Sequence, residues 1–189
     1  MRKILLLLLS LTAFIGQSDA QVVGLKSNLL YSATASPNLG VEIGMGPQTT
    51  LDISAGFNPF KFSNNRQWRH WLVQPEFRWW TCERFGGHFL AGHLIGGGFN
   101  VGNVSFFPFS MWDSLENYRL KGHAFGGGIG YGYAWMLGKH WNLEAEIRFG
   151  AAYTNFDKYY CPKCGEKIST DHHIYVGPTK AAINLVYLF

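Results

Sequence analysis

The sequence is short of charge. Lys, Arg, Asp and Glu together make up 15% of it, against roughly 25% in ordinary soluble domains. A disordered chain is excluded by that figure together with the aromatic content, and a water-facing globule is disfavoured. The excess of base over acid, a net +4, is small and scattered. It builds no basic face of the kind nucleic acid needs, so no nucleic-acid partner is expected. Cysteine is scarce as well, at three residues. After residue 20 there is no apolar run approaching the ~20 residues of a membrane-spanning helix. What the chain does have is aromatic side chain, at 16%, and glycine, at 23 residues. With so little charge, that combination points to an all-β protein facing something apolar, and the length fits one domain.

The N-terminus precedes any fold argument. Arg2 and Lys3 form a positive start, Ile4 to Gly16 is apolar, and Ser18-Asp19-Ala20 is a small-x-small site before Gln21. This is the order of a cleaved secretory signal. The apolar run is too short to span a bilayer, and no Cys follows it to carry a lipid anchor. The expectation is a signal peptide over 1–20 and one exported domain over 21–189, in a compartment that permits disulfides.

Eight later segments alternate with period two, the signature of strands. Leu25, Leu29 and Tyr31 oppose Lys26 and Asn28, and Leu39, Val41, Ile43 and Met45 oppose Glu42. Leu51, Ile53, Ala55 and Phe57 oppose Asp52, Ser54 and Asn58, while Trp71, Val73, Phe77 and Trp79 oppose Gln74, Glu76 and Arg78. Over 123–137, Phe125, Ile129, Tyr131, Tyr133, Trp135 and Leu137 face away from Gly126, Gly128, Gly130 and Gly132. Over 141–153, Trp141, Leu143, Ala145, Ile147, Phe149, Ala151 and Tyr153 oppose Asn142, Glu144, Glu146 and Arg148. In the last segment, 175–189, Ala181, Ile183, Leu185, Tyr187 and Phe189 oppose Lys180, Ala182 and Asn184. Segment 88–100 leaves its phase open, with His93 able to face either way.

Every charge in these segments lies on the non-aromatic face. A soluble sandwich alternates too, so the height of the aromatic residues decides between the two. Tyr31, Phe57, Trp71, Phe125 and Tyr153 fall near one end of their segments, and Trp79, Trp135, Trp141 and Tyr187 near the other. Two aromatic girdles around an aliphatic band are what a bilayer selects at its interfaces. Trp71 and Trp79 would stand roughly 20 Å apart in height on a strand tilted by ~40°, close to the ~25 Å apolar band of such barrels. The links 46–48, 81–87 and 138–140 are the shorter set; 32–37, 59–70, 101–122 and 156–173 lie at the opposite end. Short periplasmic turns and longer external loops have this pattern.

The reading is an eight-stranded antiparallel up-and-down transmembrane β-barrel in a bacterial outer membrane, with both termini periplasmic. Its expected partners are outer-membrane lipid and, through the terminal aromatic Phe189, the barrel insertion machinery. A surface protein or glycan could meet its external loops. A soluble lipocalin-like barrel, the alternative on the same strand count, must turn its aromatic face inward around an apolar ligand. The inward charges of the membrane reading are Lys26, Glu42, Asp52, Glu76, Arg78, Glu144, Glu146, Arg148 and Lys180. Near-balanced charges survive in a low-dielectric lumen when paired, which favours a plug of salt bridges over a pore. A non-enzymatic structural or surface-contact role follows. The competing role is an enzyme acting on lipid or lipopolysaccharide, but His88, His93 and His123 have no Ser or acid at a telling spacing. The runs Gly96-Gly97-Gly98 and Gly126-Gly127-Gly128 lack the Lys-Ser/Thr of a phosphate loop and suit strand bending or close lumen packing.

Cys161-Pro162-Lys163-Cys164-Gly165 is the sharpest local motif. Three states are open to it: a local disulfide, which an exported loop permits, half of a zinc knuckle completed by His172 and His173, with Asp171 in reserve, or a pair of reduced thiols. The expectation is an oxidised pair without stoichiometric zinc and no other cofactor. Cys82, in a turn at the opposite end, cannot pair with either within one barrel.

Several stretches carry a family resemblance: Leu25-Lys26-Ser27-Asn28-Leu29-Leu30-Tyr31, Pro37-Asn38-Leu39-Gly40-Val41-Glu42, His70-Trp71-Leu72-Val73-Gln74-Pro75-Glu76, Trp80-Thr81-Cys82-Glu83-Arg84-Phe85 and Gly177-Pro178-Thr179-Lys180-Ala181. With the Cys161/Cys164 pair, they resemble a domain-of-unknown-function family of small outer-membrane proteins of Bacteroides-type bacteria. The resemblance covers nearly all of the exported chain. It implies location and fold and supplies no catalytic residue.

Overall fold

Alternating apolar and polar side chains favour extended backbone, and every strand then needs two neighbours for its N–H and C=O groups. The chain meets that demand by closing on itself. The computed structural model describes residues 23–60, 67–102, 118–160 and 165–189. Its strands are β1 (Val23–Asn28), β2 (Asn38–Gly44), β3 (Thr49–Asn58), β4 (Gln67–Trp80), β5 (Gly87–Gly102), β6 (Tyr118–Met136), β7 (Trp141–Tyr160) and β8 (Lys167–Leu188). Each pairs antiparallel with the next, and β1 pairs with β8 from Gly24↔Leu188 to Asn28↔Asn184 to complete a closed barrel. Closure removes the sheet edges where all eight strands overlap, while β8 before Asn184 has no strand partner on the β1 side among the described residues. The segment 1–20, expected to be a signal peptide, and the pair Cys161/Cys164 lie outside the described residues.

Links 45–48, 81–86 and 137–140 gather at the end that holds Val23 and Phe189, here the terminal end. The opposite end, where β1, β3, β5 and β7 finish, is here the loop end. Two features of the loop end differ from the alternation pattern. First, Leu29 and Tyr31 do not extend the first strand. They belong to a short helix, α1 (Leu29–Ala33), whose N-cap Asn28 accepts from the Leu30 N–H at 3.0 Å. Asn38 reinforces this break by accepting from the Asn28 N–H at 2.6 Å and donating to its carbonyl at 2.9 Å. A capping Asn outweighs the strand preference of two isolated apolar residues. Tyr31 therefore leaves the aromatic girdle and lines the mouth of the lumen.

Second, the segment 156–173 is mostly strand and not loop: β7 runs to Tyr160 and β8 begins at Lys167, so Asp171, His172 and His173 all sit on β8. No apolar alternation marks this extension. Polar cross-strand pairs hold it instead: Lys167 to Asp157 at 2.7 Å, Thr170 to Asp157 at 2.8 Å, and Lys158 over the Tyr118 ring at 3.9 Å. The barrel wall is thus uneven, low along β1–β3 and high along β5–β8.

Burial is inverted relative to a water-soluble domain. Among the described residues eighteen polar or charged ones are buried against nine apolar ones, while Ile129, Leu94, Phe125 and Phe149 are among many large apolar side chains left more than half exposed. Phe57, Trp71, Phe125 and Tyr153 face outward near the loop end, and Trp79, Trp135 and Trp141 near the terminal end. The lipocalin-like alternative required that face to point inward, and it does not. Strand β5 takes a definite phase: Phe89, Ala91 and His93 are buried inside, Leu90 and Leu94 exposed outside.

Candidate functional site

The lumen has three layers. At the terminal end lies an apolar floor. Trp80 and Phe89 pack at 4.6 Å between ring centroids, Ala91 and Ala134 complete their cluster, and Phe85, Val186 and Leu188 form a second one. Phe85 reaches the floor from the turn 81–86 with φ of 65°. A non-glycine residue holds that left-handed backbone only when its surroundings fix it. Here the buried Phe85 side chain and the Asn142 amide, donating to the Phe85 carbonyl at 2.5 Å, supply the restraint.

Above the floor lies an ionic layer holding all nine of the inward charges identified from the sequence, each no more than 6% exposed. Strand register creates its central conflict. Glu42, Asp52 and Glu76 sit side by side, since Glu42 pairs with Asp52 and Asp52 with Glu76 across β2, β3 and β4. Like charges directly opposite repel. Arg78, two residues on from Glu76, resolves this. Its Nη1 donates to Glu42 at 3.0 Å and Glu144 at 2.9 Å, its Nη2 donates to Glu146 at 2.8 Å, its Nε donates to Glu76, and Asp52 lies 3.7 Å away. One guanidinium therefore touches all five acids, and its carbon stands 4.5 Å above the Phe89 ring, joining the ionic layer to the floor.

The other three cations divide the remaining oxygens. Lys26 pairs with Glu42 and lies 3.3 Å from Asp52. Arg148 reaches Glu76 and Glu146, each at 2.5 Å, and Lys180 reaches Glu146 at 2.7 Å and Glu76 at 3.3 Å. A hydroxyl relay extends the layer downward: Trp80 Nε1 donates to Thr50 Oγ1 at 2.9 Å, and Thr50 donates to Glu42.

So many long side chains need room on the facing wall, and β6 supplies it. A Cβ at Gly130 would lie 2.6 Å from Arg148 Cγ and 2.8 Å from its Cα, and one at Gly132 would meet the Phe89 ring. The alternate glycines of β6 are the empty half of the packing.

The third layer, toward the loop end, is polar and uncharged except for its base. Asn28, Asn38, Ser54, Gln74 and Asn184, with Lys26, Lys180 and Tyr31, line a cavity of about 20 Å³, space for about one water. A polar cavity of that size holds no apolar ligand. Beside the ionic layer, His93 is buried with no hydrogen-bond partner on either ring nitrogen, and the same holds for the Gln74 Nε2.

The remaining candidates do not converge. His172 pairs with Asn155 and His173 with Thr154. As neighbours on one strand they point to opposite faces and cannot share an ion. Among the described residues no group of three or more His, Cys, Asp or Glu is placed to hold a metal. His123, Asn155 and His172 form one lateral row, which places an amide, and no nucleophile or acid, between the two histidines. Cys82 is exposed in the turn 81–86 as a free thiol. Sequence reasoning missed Thr50, Trp80 and Phe89. The inward parity of Glu76 and Arg78, carried on one more step, would have found Trp80.

Fold and lumen define the class: a closed eight-stranded β-barrel with a salt-bridged interior and an apolar exterior. The chain belongs to the family described as Protein of unknown function (DUF3575), whose model matches residues 4–189. No curated protein and no solved structure matches the chain.

Proposed function

We propose that the protein is a small non-enzymatic outer-membrane barrel. In this reading β1–β8 cross the bilayer, both termini are periplasmic, and the loop-end rim serves a structural or surface-contact role. One observation carries it. Between the two aromatic rings the outer wall is lined by residues such as Val41, Ile53, Val73, Ile129, Ile147 and Ile183, while the nine charges at that height, Lys26, Glu42, Asp52, Glu76, Arg78, Glu144, Glu146, Arg148 and Lys180, are buried in the lumen. Water penalises that wall and hydrocarbon does not. The salt-bridged lumen supports a plug and not a conduit, because ions would have to displace charge pairs that satisfy one another.

The test combines fractionation with migration on gels run with and without boiling. The protein is expected in the outer-membrane fraction, with a folded band that shifts on boiling. A soluble periplasmic protein with no mobility shift would overturn the reading.

A further inference from the structure

The high wall of β5–β8, with the upper end of β4, continues past the loop-end aromatics with an outward face of different chemistry. The register orders it in rows. Trp71, Gly98, His123, Asn155 and His172 share one row; Arg69, Asn100, Lys121, Asp157 and Thr170 share the next; Gly102, Arg119, Tyr159 and Lys167 follow. Successive rows are two residues apart along the strand, about 5 Å of height at barrel tilt. The change from hydrocarbon-like to basic therefore happens within about two rows of Phe125 and Tyr153.

Among the described residues of these rows four cations stand against one acid, and that acid is already engaged. Asp157 accepts from Lys167 and Thr170, and these bonds, the Lys167 one first, hold its carboxyl below the usual carboxylate range. Arg69 and Lys121 are exposed. Arg119 is fixed against the wall, its Nε donating to Asn100 at 2.8 Å and its guanidinium 5.6 Å over the Tyr159 ring. Past the terminal-end ring the described strands stop at short turns and build no such extension.

We infer that this ledge binds the phosphorylated headgroup of a glycolipid in the outer leaflet, with Arg69, Arg119 and Lys121 holding phosphate. The inference rests on the bilayer reading above. Arginine forks suit phosphate oxygens, Asn155 and the exposed His172 and Thr170 offer hydrogen bonds to sugar hydroxyls, and the Tyr159 ring offers an apolar face. A free soluble anion would use only the basic rows. An amphiphile is the ligand that also uses the apolar wall directly beneath, and that continuity selects it.

The experiment titrates a bisphosphorylated diglucosamine glycolipid into the full exported chain in zwitterionic detergent and counts retained molecules by native mass spectrometry. Parallel titrations use the dephosphorylated glycolipid and inorganic phosphate. The phosphorylated glycolipid should be retained in preference. The double variant Arg69→Gln/Lys121→Gln should bind about thirtyfold more weakly, at the usual contribution of each base near an anionic lipid surface. Lys158→Gln, on the inner face of the same extension, should bind as wild type. Equal retention of phosphorylated and dephosphorylated lipid, equal binding by the double variant, or full competition by inorganic phosphate would overturn the inference while leaving a heat-modifiable barrel in place. A chain that gives no folded band in detergent or lipid would overturn the bilayer reading and this inference together.

Discussion

Along β7 the two faces of one strand hold opposite chemistries. Asn142, Glu144, Glu146 and Arg148 are buried in the lumen, while Trp141, Ile147, Phe149 and Tyr153 stand exposed on the wall. In water this is the wrong way round. Each exposed Ile or Phe forfeits roughly 1.5–3 kcal/mol of burial, and each buried ion loses hydration worth several kcal/mol. On the proposed bilayer reading the two faces stabilise the barrel by different means: the lumen through pairing of opposite charges, the wall through apolar surroundings. Substitutions should separate them, because a lumen defect costs the same in any solvent and a wall defect depends on what lies outside.

The largest effect is expected inside, at Arg78. Arg78→Met keeps much of the length and the contact with Phe89 but leaves five carboxylates with three cations. Breaking a buried pair by removing one partner costs about 3–5 kcal/mol, and this side chain serves five partners, so the loss should reach at least the top of that range. Urea unfolding followed by the heat-dependent gel shift should find little folded barrel in either detergent or lipid. Near-wild-type folding of Arg78→Met would mean that the lumen is held by its apolar floor and that the ionic layer is incidental.

Next comes the wall. Ile147 is 47% exposed at mid-height on β7, opposite Tyr131 and Ala181. Ile147→Arg should cost roughly 2–4 kcal/mol when the barrel refolds into lipid, and much less in a detergent that lets the guanidinium reach water. Ala182→Ser, a buried change on the opposite face of the neighbouring strand, should be mild and indifferent to the medium. If the Arg variant refolds as well as wild type in lipid while the Ser variant fails, the two faces have been assigned the wrong way round.

This contrast was readable in the sequence because period-two alternation encodes it directly: each charged residue of β2, β3 and the lower parts of β4, β7 and β8 announced its side. Legibility failed where alternation was absent or interrupted. Strand β5 hid its phase because Gly92, Gly96, Gly97 and Gly98 carry no side chain to mark a face. Tyr31 was misplaced because one Asn cap turned the chain into a helix. The upper parts of β7 and β8 looked like loop because Lys, Asp, Thr and Tyr pairs hold them, and such pairs show only once two strands are aligned. Within the site, the charged members were visible and their partners were not. That Arg78 touches every acid depends on register across β2, β3, β4 and β7, which no local pattern states.

The smallest effect is expected at Glu144, and it sharpens the account of the lumen. Five acids meet four cations there, so the network carries one negative charge more than it can pair. The surplus is not shared evenly. Glu76 and Glu146 are each approached by Arg78, Arg148 and Lys180. Glu144 places one oxygen 2.9 Å from Arg78 and 3.6 Å from Lys26, and its other oxygen, Oε1, is buried without a hydrogen-bond partner. Replacing this carboxylate by an amide keeps its shape, leaves an oxygen for Arg78 to donate to, and brings the network to four against four. The opposing cost is the new NH2, which needs an acceptor of its own, and a weak neutral hydrogen bond there recovers about 1 kcal/mol. Glu144→Gln should therefore lie within about 1 kcal/mol of wild type, while Glu76→Gln, which removes charge from three cations at once, should lose about 3 kcal/mol or more. Unfolding midpoints of the two variants in the same detergent decide the matter. Equal losses would mean that the lumen responds to total charge alone, and a larger loss at Glu144 would mean that its unpartnered oxygen is held by a contact outside the nine-residue network.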